Sequence, residues 1–321
     1  MLNKINLLLQ KLMPVITPAS VVIGIIFYKS LDDYTFLVPW IFAVMTFTGG
    51  LRSNFHDLKN MILHPLPLIV SLISLHFIMP LVAFGTGSFL FPDDPYFITG
   101  LILAFVVPTG ITSLLWVSVY KGNIVLTLSI ILVDTLLSPI LVPVVLKWFV
   151  GTTVEMNVVA IMKGLLWMIV IPSLFGMFIN QFTKKEITEK LSTMLSPFSK
   201  LGIGAVVAIN SSSIAPYFKG FDAQLIKIMA VVFVLSLMAY AIGWICGLLL
   251  KQDQSTTISL MYNNGMRNIS TGAVIAIAYF PGPVAIPVIA GILFQQILAS
   301  MIGSIIEKMQ QLSKKPQVFS R

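Results

Sequence analysis

Apolar runs about as long as a bilayer core is thick recur along the entire chain, separated by short polar turns. Ten such segments are read near residues 13–29, 36–51, 66–86, 97–120, 123–149, 156–182, 198–216, 226–250, 255–280 and 283–307. Turns such as Asp32-Asp33, Asp93-Asp94-Pro95, Lys121-Gly122-Asn123, Lys184-Lys185-Glu186 and Lys251-Gln252-Asp253 divide them. The pattern predicts an all-α polytopic membrane protein with ten transmembrane helices. The first and seventh segments are short for spanning helices and are expected to be tilted or shielded.

Two segments break their own pattern near mid-membrane, at Val107-Pro108-Thr109-Gly110-Ile111-Thr112-Ser113 and Tyr262-Asn263-Asn264-Gly265-Met266-Arg267-Asn268. Their glycines are 265 − 110 = 155 residues apart, and Pro14 and Pro172 are separated by a similar 172 − 14 = 158. Five segments per half is an odd number, so the second half must enter the membrane upside down, giving an inverted 5+5 repeat. Interrupted helices at matching places in two halves mark the binding site of a secondary transporter.

Lysines and arginines orient the chain. With the N terminus inside, Lys4, Lys11, Arg52, Lys59, Lys121, Lys184, Lys185, Lys190, Lys200, Lys251, Lys308, Lys314, Lys315 and Arg321 face the cytoplasm. Only Lys29, Lys147, Lys219 and Lys227 face out, so both termini are expected to be cytoplasmic in a plasma (cell inner) membrane. Residues 1–182 then hold the first repeat and the start of the second, and 183–200 a cytoplasmic linker. Helices 7–10 occupy 201–308, and 309–321 form a cytoplasmic tail.

Composition removes several classes. The chain is 57% hydrophobic and 10% charged with mean hydropathy +0.96, against roughly 25% charged in soluble domains. Its net charge of +8 follows the loops, a topology signal and not one for nucleic acid. Cys246 has no second cysteine to bridge, and His56, His64 and His76 lack metal-ligand spacing. No cofactor or metal is expected, nor an ATP-driven cycle, since no phosphate-cradling loop occurs. The apolar start, without a small-residue cleavage site, is expected to be retained.

The chemistry concentrates at the breaks, with Thr109, Thr112 and Ser113 at one and Asn263, Asn264, Arg267 and Asn268 at the other. Freed backbone groups there need a protein or aqueous partner, and half-helix N-termini favour an anion. Arg267 lies about twelve residues into its segment, where an unpaired arginine costs at least about 2.5–3.5 kcal/mol. Asp134 is equally central, and the simplest expectation is that it meets and neutralises Arg267. His76 is expected to be a packed, hydrogen-bonded histidine, with a proton relay as the alternative. Lys163 is placed to snorkel outward.

On Thr48-Gly49-Gly50-Leu51, Phe77-Ile78-Met79-Pro80, Pro108-Thr109-Gly110, Lys121-Gly122-Asn123, Leu137-Ser138-Pro139 and Gly265-Met266 with Asn268, the chain resembles the bile acid:sodium symporter (BASS) family. The resemblance covers nearly the whole length. It implies a panel domain (helices 1, 2, 6, 7), a core domain (3–5, 8–10), and two unwound helices that cross in the core. Substrates in the family are organic anions, from steroid conjugates to small acids. Among the family's sodium ligands, a glutamate aligns with Asn263, a glutamine with Arg267 and another glutamine with Leu75. Ser113 and Thr127 match ligands, whereas Leu114 and Ile131 replace two others. The resemblance is therefore to a bacterial-type member with altered sodium sites.

The expected function is alternating-access secondary transport of small organic anions, sodium-independent or proton-coupled. Thr109, Thr112, Asn264, Arg267 and Asn268 are the expected substrate contacts. Asp134, Arg267, Asn263, Ser113, Thr127 and His76 are the expected ion-coupling or charge-pair set. The alternatives are a sodium-coupled bile acid symporter and a ligand sensor that moves nothing. An enzyme is not expected, since no nucleophile–base or carboxylate pair is visible.

Overall fold

A computed structural model describes residues 2–51, 65–218 and 223–314, and the described chain is helical, without strands beyond one isolated bridge. Helix α1 is Leu2–Ile26 and α2 is Val38–Gly50. Helix α3 runs Pro65–Leu90, α4 is Pro95–Val106 and α5 is Thr112–Val119. Then follow α6, Ile124–Val150, α7, Val158–Phe182, and α8, Lys185–Ile214. The last four are α9, Ala223–Leu249, α10, Gln254–Gly265, α11, Ile269–Tyr279, and α12, Ala285–Lys314. Six stretches are long and apolar enough to cross a bilayer: α3, α6, most of α8, α7, α9 and residues 282–308. Side chains such as Leu249 (77% exposed) and Trp148 (68%) turn outward, a surface suited to lipid and not to water.

Local chemistry explains where helices start. Asn123, Asn157 and Asp253 each accept an N–H from three residues on, at 3.0 Å, capping α6, α7 and α10. Prolines widen helices and free carbonyls. Before Pro80, Met79 N–H bonds back to Ser74, so residues Ser74–Ile78 form a π turn inside α3. Before Pro172, Ile171 N–H bonds back to Leu166, making a second π turn over Leu166–Val170 of α7. Pro172 also leaves the Met168 carbonyl without its helical donor, and Thr46 Oγ1 of α2 supplies one at 2.9 Å. In α6 the same vacancy, left at Thr135 by Pro139, is filled by Ser138 Oγ at 2.8 Å.

One sequence expectation is corrected. The first and seventh segments are not short: α1 spans 25 residues and α8 spans 30. The stretch 183–200, expected as a cytoplasmic linker, is helical from Lys185, where α8 begins. Lysine and glutamate are good helix formers, so the helix continues where apolarity stops. Residues 309–314 continue α12. The rest of the expected tail, with Arg52, His56, Lys59, His64 and Lys219, lies outside the described residues.

Helices α1 and α8 pack along their lengths, α2 lies on α7 and α8, and α3, α4, α6 and α9–α12 make up the rest of the bundle. The α1–α8 contact needs a small residue: a Cβ on Gly24 would lie 2.2 Å from the Ala208 carbonyl oxygen. Gly24→Val is expected to destabilise the protein by about 1–3 kcal/mol through overpacking. Thermal unfolding in detergent, followed by tryptophan fluorescence, should show a lower midpoint than wild type; an unchanged midpoint would refute the close approach.

Candidate functional site

Proline begins the site. Pro108 pushes the preceding residue out of the helical region, and Val107 is extended at φ −58°, ψ 148°, so α4 stops at Val106. The second break has no proline. Met266 leaves the helix at φ −111°, ψ 97°, and α11 restarts at Ile269. The two unwound pieces then pair in antiparallel fashion, Thr109 opposite Arg267. Gly110 N–H donates to Met266 O at 2.8 Å, and Asn268 N–H to Pro108 O at 2.7 Å. Each break thus supplies the hydrogen bonds the other lost. A Cβ on Gly110 would lie 2.9 Å from the Arg267 carbonyl oxygen, so the crossing requires glycine there.

Thr109 ties the crossing further, its hydroxyl donating to the carbonyls of Asn263 (2.7 Å) and Met266 (3.1 Å). Beside it, Ser113, Thr127 and Asn263 form one buried cluster. Ser113 Oγ donates to Asn263 Oδ1 at 3.1 Å, and Asn263 Nδ2 donates to Thr127 Oγ1 at 3.2 Å and Ser259 O at 2.8 Å.

Asp134 and Arg267 do not form the ion pair expected of them. Asp134 Oδ1 bonds His76 Nε2 at 2.5 Å, and Oδ2 accepts the Thr109 N–H at 2.7 Å. The carboxylate is engaged on both oxygens, and Arg267 turns instead to the Leu75 carbonyl, to which Nη1 donates at 3.3 Å. That carbonyl is available because the π turn diverts Met79 N–H to Ser74. His76, Asp134 and Arg267 are the only buried acid, base or histidine side chains among the described residues.

A cavity of about 130 Å³ lies between the crossing and helices α2, α6, α7, α8 and α12. Thr109, Thr112, Arg267 and Asn268 line it. Arg267 is only 2% exposed, and its Nε and Nη2 have no hydrogen-bond partner. Among its lining residues Arg267 is the one charged side chain. The N-terminal ends of α5 and α11 also reach the cavity, through Ile111 and Thr112 and through Asn268 to Ser270. Their partial positive charge and the guanidinium make this an anion-favouring pocket. No metal-holding cluster of His, Cys, Asp or Glu occurs among the described residues.

Asn264, expected at the substrate, does not line this cavity. It is fully buried, donates to Leu260 O at 2.9 Å, and packs where a Cβ on Gly243 of α9 would meet it at 2.9 Å. Thr46, Thr135, Ser173 and Gln295 line the cavity and were missed. Their only sequence signal is a polar residue within an apolar helix, and rotation about the helix axis decides which of those face inward.

Residues 39–221 match the family described as the sodium bile acid symporter family. The protein YbaS of Bacillus subtilis (strain 168), described as uncharacterized, is 51% identical over 298 residues, 93% of this chain and 97% of that one. An uncharacterized sodium-dependent transporter of the same organism, YocS, is 26% identical over 84% of each chain. A probable chloroplastic sodium/metabolite cotransporter of Arabidopsis thaliana, BASS1, is 23% identical over 85% of this chain and 68% of that one. With more than half the chain matched and a relative identical at half its aligned positions, this multi-pass membrane protein belongs to the sodium bile acid symporter family, a family of transporters and not of enzymes.

Proposed function

We propose that the protein is an alternating-access carrier of small organic anions in which Arg267 replaces a sodium ion as the resident positive charge. The observation that carries this reading is the guanidinium edge: Nε and Nη2 of Arg267 are buried, unpartnered and beside the cavity. Those two nitrogens have the fork spacing that a carboxylate fits bidentately. Two buried guanidinium N–H groups without acceptors call for one, and a carboxylate supplies both oxygens. A cavity of about 130 Å³ resembles one that holds benzene, which favours a short acid over a sterol conjugate. Hydroxyls of Thr46, Thr112, Thr135 and Ser173 favour substrates that carry hydroxyl groups of their own.

In this reading α1, α2, α7 and α8 are the panel, the remaining helices are the core, and ten spans in an inverted repeat leave both termini cytoplasmic. The cavity lies at the boundary between the two groups, as a moving carrier requires. At the positions of family sodium ligands, protein N–H donors occupy what an ion would hold. Asn263 Nδ2 serves Thr127 and Ser259, and Arg267 Nη1 serves Leu75. A sodium ion a few Å from Arg267 would be repelled by about 4 kcal/mol at an effective dielectric of 20. Transport is then driven by the gradient of substrate or of protons.

A sodium-coupled reading has its own support. Relatives are named sodium-dependent, and Ser113 and Thr127 still bring hydroxyl oxygens to Asn263.

Uptake of labelled hydroxylated and plain organic acids into proteoliposomes separates the two. We expect equal initial rates with and without an inward sodium gradient at fixed pH; sodium-stimulated uptake would reject the resident-cation reading.

Arg267→Gln should lower uptake at least about tenfold, as expected on removing a charged partner from a buried contact. Adding Asn263→Glu to Arg267→Gln should restore uptake and make it depend on sodium. A double variant that transports yet ignores sodium would count against Arg267 as the stand-in ion.

A further inference from the structure

We infer that the His76–Asp134 pair is the carrier's proton site, taking up one proton for each monoanion that binds at Arg267; this rests on the anion-carrier reading above. Charge balance is the first argument. With His76 neutral, Asp134 and Arg267 cancel, so the empty site is neutral although the two do not touch. A bound monoanion would leave one uncompensated negative charge in the bundle, and such a charge is strongly unfavourable. One proton on the pair restores neutrality. A proton without the anion leaves an uncompensated positive charge. Only the empty and the doubly loaded forms are neutral, and only these can move across the membrane at low energy.

The second argument is the wiring. His76 and Leu75 share the π turn: His76 holds Asp134, while the Leu75 carbonyl holds Arg267. Asp134 in turn holds the Thr109 amide, opposite Arg267 in the crossing. A change in charge on the pair is therefore one hydrogen bond from both sides of the anion pocket. His76 Nδ1 is buried and has no partner, which leaves its lone pair as the place where a proton adds while Nε2–H stays on Asp134.

The neighbouring titratable groups are placed otherwise. Of the titratable side chains on elements packed against the π turn and α6, Lys147 and Lys163 are exposed and Tyr96 is 40% exposed. Tyr262 of α10 donates to Ala299 O within an aromatic cluster, and Cys246 of α9 lies by Ser74. Also on α9, Lys227 is exposed, and Tyr240 is buried with its ring on Tyr262 and Gly265 and its hydroxyl unpartnered. Helices α5 and α11 present no acid, base or histidine, and Tyr279 lies at the far end of α11.

The test combines transport with a readout that needs no substrate. Proteoliposomes of the full chain are assayed with labelled glycerate, as accumulation under an inward proton gradient and as exchange at equal pH. Asp134→Asn and His76→Gln should each lower accumulation at least about tenfold more than exchange, the mark of uncoupling. Nitrogen-15 spectra of the histidines, with His76 assigned from His76→Gln, should show its ring signals responding to pH. The Asp134→Asn variant, which alters the partner of Nε2, should change that response. Accumulation and exchange falling in step would assign the pair a structural role only and overturn the inference. So would a His76 signal that ignores pH, even with glycerate transport intact, and that result leaves the carrier reading standing. A pH-responsive His76 signal in a protein that neither accumulates nor exchanges glycerate would instead sink the anion reading, and the coupling with it.

Discussion

Everything at the centre of this protein depends on one constraint: backbone interrupted at mid-membrane must find its hydrogen bonds inside the bundle. Two breaks meet this constraint by pairing with each other, Gly110 with Met266 and Asn268 with Pro108. The crossing fixes Thr109 and Arg267 opposite one another, and so sets where a cation and two helix N-termini converge.

The same accounting runs outward from the crossing. Each proline-disturbed helix releases carbonyls, and each released carbonyl for which a partner is seen recruits a side chain. Met168 takes the Thr46 hydroxyl, Thr135 takes Ser138, and Leu75 takes Arg267. The first of these pins α2 to α7 at the cavity wall, and the last orients the guanidinium so that its other edge remains free. Helix defects that would weaken a soluble bundle here position the polar groups of the site.

Electrostatics then divides the site in two. On the cavity side stand Arg267 and the starts of α5 and α11, all favouring negative charge. Behind the crossing, Asp134 is held by His76 and by the Thr109 amide, and Ser113, Thr127 and Asn263 satisfy one another. The crossing itself is the wall between an open anion-favouring face and a closed polar network.

The sequence alone determined the membrane setting, the places of both breaks, and the isolation of Arg267 and Asp134 in apolar surroundings. These follow from residue type and chain order: Pro108 pushes Val107 out of the helical region, and charge in a hydrophobic run stands out. Only the tertiary structure decided who pairs with whom. Asp134 was a natural partner for Arg267 by charge, yet His76 holds it, because a π turn before Pro80 rotates that side chain toward α6. Asn264 and Arg267 are three residues apart, and the unwound backbone between them sends one against α9 and the other to the cavity. Thr46, Ser173 and Gln295 line the cavity only because their helices are turned so. Rotation and register arise from packing many helices at once, and no local pattern in the chain encodes them.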